Sequence, residues 1–412
     1  MIHISLSPNL EFDDVRAAVA RLFMPWQWRE HAAQQQLAEK LAHYVNAKEV
    51  MLTASGRGAL MVLLRGLGIG EGDEVILQSF TCNAVANPIM WVGATPIYAD
   101  IDDTFNIDSA KLEGRVTPRT KALIIQHTFG IPAKVEELLE VARRHNLIVI
   151  EDCAHALGAS YRGRRVGSFG DVALFSFGRD KVISASFGGA LAVNREELVA
   201  NIRSQYENLA YPSGGWTMQQ LLHPIISWFT LLTYGPVGKA IFSLAQGLRL
   251  VSRVVTRQEY CGEQPAHLEK KMPGALAVLA LRQFHKLARF NEHRRELAAL
   301  YARELSAEPA FKLVGEHDGG SIFLRYPVLH SRAPEVLRAA RARGMVLGDW
   351  YARVIDPAGT DRSAMHYREG CCVAAEGTAP NIINLPTNIR TSRNDARRVV
   401  EFLHSWKPSS EK

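Results

Sequence analysis

The sequence is poor in cysteine and has no arrangement of it that makes a scaffold. Its five cysteines are Cys82, Cys153, Cys261, Cys371 and Cys372, with no CxxC spacing among them, so no disulfide framework is expected, nor any metal site. The opening residues, MIHISLSPNLEFDD, lack a basic start followed by a long apolar core. No signal peptide is expected, and a reducing cytoplasm is the expected compartment. Uninterrupted apolar runs fall short of the roughly 20 residues that cross a bilayer. Repeats and low-complexity tracts are missing, and only the SWKPSSEK tail reads as disordered. Charge of one sign is also missing in quantity: +6 over 412 residues suits an anionic substrate or surface, and gives no indication of nucleic acid. What remains is ordinary globular composition, 47% hydrophobic and 22% charged, in a chain long enough for two domains.

From Glu49 onward strand and helix patterns alternate, which predicts an α/β fold with a parallel sheet. The strand candidates are EVMLTA, EVILQS, TPIYADI, KALIIQHTF, LIVIEDC, VALFSF and GALAV, with helices near 57–67, 83–92, 107–114 and 134–146. Before them the chain reads as a short extended piece and a polar, alanine-rich helix from about Arg29 to Val45. Trp26 and Trp28 either pin this arm to the body or face a substrate.

The chemistry concentrates between Leu147 and Asn194. One apolar run, Leu147 to Ile150, ends in Glu151 and Asp152; another, Val172 to Phe177, carries Ser176 and is followed by Lys181. Both suit strands buried on two faces. Ligands of open α/β sheets sit outside the carboxyl ends of the strands, so Asp152, His155, Ser176 and Lys181 are expected at one rim. An amine, an acid, an imidazole and a hydroxyl are what pyridoxal 5′-phosphate (PLP) chemistry requires: a lysine for the Schiff base and an acid for the pyridinium nitrogen. Glu151 is expected on the opposite side of its strand from Asp152. Upstream, TASGRGALMVLL places a strand end, a loop with Gly56 and a helix start in series, an arrangement suited to phosphate.

The segments EDCAH, GRRVGSFGD, SFGRDK and FGGA, in that order, resemble the DegT/DnrJ/EryC1/StrS family of sugar aminotransferases, which are fold-type-I PLP enzymes. The resemblance implies a large domain with a mostly parallel mixed sheet between helices and a smaller α+β C-terminal domain. It implies Lys181 as the Schiff-base and proton-transfer residue, Asp152 as the pyridinium partner, His155 at the ring hydroxyl and Ser176 at the phosphate. It also implies an amino donor such as glutamate or glutamine, a keto-sugar acceptor carried on a nucleotide or a lipid, and a homodimer with sites at the interface, in cell-surface polysaccharide or related biosynthesis. Three positions depart from the family pattern. Arg57 stands after Gly56 where a threonine commonly helps hold the phosphate, and a guanidinium serves phosphate well. Cys82 stands where an aromatic stacks on the ring, with Phe80 and Asn83 as compensating neighbours. Lys270 and Lys271 stand where an asparagine reaches the neighbouring subunit's phosphate, and Lys271 is the site candidate. His127, in HTFGIPA, is open between a cofactor contact and a structural role, and Asn388 replaces a histidine after the family's closing L-P.

Residues 1–208 are thus expected to form the PLP-binding domain with its N-terminal arm, and 266–412 a linking helix and the small domain. The basic face through Lys286 and Arg294 reads as solvated. Residues 209–265 are an insertion that departs most from the family: strongly apolar, broken at Pro224, Gly235 and Pro236, and trailed by Arg249, Arg253 and Arg257. It reads as extra core and dimer contact, as a lid, or as helices of 211–261 lying at the inner face of the membrane. Two alternatives to an aminotransferase stand: a PLP-dependent sugar dehydratase, in which a histidine replaces the lysine, and a non-catalytic PLP- or sugar-binding regulator of the same fold.

Overall fold

The computed structural model describes residues 2–5, 7–233, 236–315 and 319–408; the Gly235 break and the last four residues of the tail lie outside them. Two helices come first, α1 (Phe12–Leu22) and α2 (Ala32–Val45). The first was not expected. Its start is fixed by a capping box between Glu11 and Asp14, and it turns Val15 and Ala18 inward, a short stripe that an acidic first turn disguises.

All seven strand candidates enter one sheet: β1 (Glu49–Thr53), β2 (Glu74–Gln78), β3 (Thr95–Ala99), β4 (Thr120–Gln126), β5 (Ile148–Asp152), β6 (Val172–Ser176) and β7 (Gly189–Val193). The spatial order is β1-β7-β6-β5-β4-β2-β3. Every pairing is parallel except those of β7, which runs antiparallel to both β1 and β6. The sheet is covered on both faces by helices that include α3 (Gly56–Gly66), α4 (Asn83–Trp91), α5 (Val135–Arg144) and α6 (Glu196–Glu207). Double coverage explains why the strands are continuous apolar runs rather than alternating ones.

Next come α7 (Gly214–Leu232) and α8 (Pro236–Gly247), packed on each other, with α7 also lying along α1. No helix among the described residues is long and apolar enough to cross a membrane. The chain continues through α9 (Gly274–His285) and α10 (Leu287–Leu305) into an antiparallel sheet of β8 (Lys312–Leu313), β9 (Tyr326–Leu329) and β10 (Ile382–Leu385), with α11 (Ala333–Ala342) and α12 (Arg393–Ser405) beside it. Of the strand expected over IFLRYPVL, only its second half pairs.

The solvated basic face is corrected by the structure. Arg294 is fully buried; it donates to Asn291 Oδ1 (2.6 Å), Asn9 Oδ1 (3.0 Å) and the Val182 carbonyl (2.8 Å). Lys286 sits among Glu11, Asp13 and Asp14 of the N-terminal arm.

Candidate active site

The sheet's geometry brings the predicted residues to one rim. Asp152 is the last residue of β5 and Ser176 the last of β6, while Gly189 opens the antiparallel β7 level with both Ser176 and Thr53. A side chain at Gly189 would place Cβ 2.6 Å from the Gly56 nitrogen, so only glycine lets the start of α3 approach the sheet this closely. The rim opens into a cavity of about 180 Å³ lined by Gly56, Arg57, Cys82, Asp152, His155, Ser176 and Lys181, among others. Seven of the eight predicted site residues therefore share one cavity. Lys271 does not: its amine donates to the Glu207 carbonyl (3.0 Å) and lies 5.2 Å from the Tyr206 ring centroid.

Lys181 lies just beyond β6, and its backbone carbonyl is held by Asn9 Nδ2 at 2.7 Å. Its amine stands 5.5 Å from the Trp350 ring centroid. Burial pushes the Lys181 amine below its usual range, against the pull of Cys82 and Asp152, and pushes the Asp152 carboxyl up. Both shifts are toward the neutral form, as burial dictates. Asp152 spends one oxygen on the Ala154 N–H (2.9 Å).

His155 is a flat plate in an aromatic stack. Its ring lies parallel to Phe129 (6.1 Å, 8°) and to Trp350 (5.7 Å, 8°). The Phe129 N–H donates to its Nδ1 at 3.3 Å, which puts the proton of the neutral ring on Nε2. Burial holds it well below the usual histidine range. Trp350 and Tyr351, both on the cavity wall, come from a long C-terminal loop without a recognisable pattern in the sequence. They supply the aromatic surface that Cys82 does not. Phe80 and Asn83 are fully buried and away from the cavity; Asn83 bonds the Glu259 carbonyl instead. Cys82 caps α4, its sulfur accepting from the Ala84 N–H at 3.5 Å.

At α3, Ser55 caps the helix by accepting from the Gly58 N–H (3.0 Å). The N–H groups of Gly56 and Arg57, the first two of the helix, have no acceptor within it. The Arg57 guanidinium is engaged by the insertion: it pairs with the buried carboxylate of Glu259 and donates to the Val254 carbonyl (2.9 Å). Arg179 likewise donates to the carbonyl and hydroxyl of Ser252, both at 2.6 Å. The returning segment of the insertion is thus stitched across the cavity, with Val254 and Val255 in its wall. Glu259 and Ser252 carried no sequence signal, being single polar residues in a stretch without a motif.

His127, by contrast, is structural. It is fully buried, with Nδ1 accepting from the Ala133 N–H (3.1 Å) and Nε2 against Glu151 (3.2 Å). Glu151 also accepts from the N–H groups of Gly167, Phe169 and Gly170 at 2.6–2.8 Å, so it pins the GRRVGSFGD turn. His127, Glu151 and Cys153 have ligand atoms within 4.8 Å of one another. The carboxylate is already saturated, and burial pushes the Cys153 thiol well up, so the trio is a structural knot rather than a metal site. Asn388 is buried away from the cavity and donates to the His3 carbonyl (2.9 Å).

Asp356 lines the cavity, and burial, aided by Asp349, pushes it from 3.8 to about 7. A carboxyl raised on folding contributes stability that is complete at low pH and lost as pH climbs through the folded value. Asp356→Asn is therefore expected to leave stability near pH 4 unchanged and to raise it by up to about 4 kcal/mol near pH 8. Urea unfolding at the two pH values measures this.

The residues present fit PLP. Cβ atoms added at Gly56 or Gly178 would sit 3.2–3.6 Å from Ser176 or Lys181, so these glycines leave room beside both side chains that a ring and phosphate would need. The model of the DegT/DnrJ/EryC1/StrS aminotransferase family matches residues 13–404. A UDP-N-acetyl-3-dehydro-alpha-D-glucosamine 3-aminotransferase of Acidithiobacillus ferrooxidans is 31% identical over 81% of this chain and 77% of its own. A GDP-perosamine synthase of Caulobacter vibrioides is 48% identical, over 39% of this chain and 44%, less than half, of its own. Among solved structures, DesV of S. venezuelae, in complex with a ketimine intermediate, superposes with a TM-score of 0.75 at 27% identity over 97% of this chain and 95% of that one. The chain belongs to the DegT/DnrJ/EryC1/StrS family, the PLP-dependent sugar aminotransferases of fold type I.

Proposed function

We propose that the chain moves an amino group from glutamate or glutamine to a keto-sugar, with Lys181 and Asp152 as its catalytic residues. The observation that carries this reading is a lysine amine depressed by burial, with no hydrogen-bonding partner among the described residues, sharing one cavity with a buried aspartate at the sheet's carboxyl rim. PLP bound through Lys181 supplies an electron sink for the pair left behind when a proton leaves the donor's Cα. Asp152 would hold the proton on the ring nitrogen that keeps the sink effective. Lys181 Nζ, once the donor's amino group has displaced it from the cofactor, would take the Cα proton and return it on the other side of the exchange. Ser176 Oγ and the N–H groups at Gly56 and Arg57 would receive the phosphate, and His155 Nε2–H would serve the ring hydroxyl.

A nucleotide-linked ketone is favoured as acceptor by the relatives, named for GDP- and UDP-sugar products or substrates; a glutamine donor is favoured by a relative of Streptomyces kanamyceticus named L-glutamine:2-deoxy-scyllo-inosose aminotransferase. Lys271, turned away from its own cavity, is assigned to the phosphate of a second copy in a homodimer. Lys181 itself argues against the dehydratase reading. The test is the visible spectrum of the purified protein with PLP, before and after an amino donor. A yellow band that bleaches with glutamate or glutamine is expected. A band indifferent to every amino acid would make the protein a sensor, and no band would remove PLP from the account.

A further inference from the structure

Helix α7 buries more polar side chains than apolar ones: Thr217, Gln220, His223, Ser227 and Thr230 lie inward beside Leu221 and Pro224, whereas Met218, Phe229 and Leu232 face outward. His223 bonds Ser7 (3.0 Å) and Ser227 (3.2 Å) in that buried polar seam. A helix in water normally does the reverse. The neighbouring α8 continues the pattern, with Val237 and Leu244, and Leu248 just past its end, at helical spacing and each at least 60% exposed. Fourteen large hydrophobic side chains are exposed among the described residues, and thirteen of them fall in residues 12–26 and 218–254. These two stretches meet where α1 packs on α7, through Phe12 and Trp228 at 5.7 Å. Scattered exposed hydrophobics need no explanation, but this concentration does.

The charge around the patch selects its occupant. From Asn208 to Gln258 there is no aspartate or glutamate, while Lys239, Arg249, Arg253 and Arg257 are basic. The three arginines are exposed just beyond α8. In a two-fold contact between copies, the same patch supplies both sides, and between residues 208 and 258 these arginines would find no acid to meet. An anionic bilayer offers acyl chains to the leucines and phosphates to the arginines. Neither helix is suited to crossing it, which leaves the in-plane mode of amphipathic helices.

We propose that α7, α8 and the arginine-bearing segment after them form a docking face for an anionic lipid surface. Val254, exposed on this face, also lines the cavity, so the docked protein presents its site at the membrane boundary. The proposal does not depend on the reaction assigned above, because vesicle binding is read without turnover.

The test is co-sedimentation of the full chain, loaded with PLP, with vesicles of phosphatidylcholine alone or with about a third phosphatidylglycerol. Binding to the mixed vesicles only, weakened by salt, is expected. Replacing Arg249, Arg253 and Arg257 together with glutamine should weaken it about a hundredfold. Leu244→Ser with Leu248→Ser, exposed positions that leave the fold intact, should weaken it as well. Three results would overturn the proposal: equal behaviour toward the two vesicle types, binding that neither variant changes, or a serine variant that loses a self-associated state by light scattering but keeps its vesicle binding.

Discussion

Lys181→Ala is expected to lower multiple-turnover transamination by about 10⁴-fold or more while the protein still retains PLP non-covalently. The substitution removes the tether and the base together, and a positioned acid–base group alone is worth about 10²–10⁴. Retention follows because Asp152, Ser176 and the start of α3 are untouched and, on the proposed reading, would still hold opposite ends of the cofactor. Dialysis followed by a phosphate or absorbance assay measures retention, and donor-to-acceptor nitrogen transfer measures turnover. Robust turnover by the variant would end the assignment of Lys181.

Asp152→Asn separates chemistry from architecture in the opposite way. The amide keeps the shape and still accepts from the Ala154 N–H, but it gives the ring nitrogen no charge. Breaking a buried ion pair costs about 3–5 kcal/mol, so kcat is expected to fall about 10²–10⁴-fold. Without cofactor, the sign reverses. Burial raises the Asp152 carboxyl, so in the empty wild-type protein its stabilising share is present at low pH and lost as pH rises through the folded value. The asparagine variant has no such loss and should be at least as stable as wild type at neutral pH. A stability defect of the cofactor-free variant in urea would mean that Asp152 serves the fold rather than the cofactor.

The parts of this molecule that were legible in its sequence are those whose partners are close by or implied by period. The strands were, because a sheet covered on both faces demands apolar runs such as Leu147–Ile150. The rim residues were, because a strand end followed by a polar residue has few other uses in a parallel sheet. Arg294 was not: a buried cation held by Asn9, Asn291 and a carbonyl looks, in sequence, like any arginine on a polar helix. Trp350 and Tyr351 lie in a loop with no period, and Glu259 is explained only by the arginine it meets. The insertion's apolar character was plain, yet its inverted helix could be recognised only after the buried side of α7 was known.

One contact described above sets a clock. The carbonyls of Lys181 and Val182 are held by Asn9 and Arg294, which also bond each other. The lysine loop therefore needs residues from the chain's beginning, middle and final third at once. During synthesis the first seven strands can pair as they emerge, but the loop stays unbraced until residue 294 has cleared the ribosome, and the aromatic wall at Trp350 and Tyr351 arrives later still. Domains mature as their sequence becomes complete, so cofactor capture is an event of the nearly finished chain. A nascent chain stalled before residue 294 would carry every residue of the lysine segment and still have no braced place for PLP.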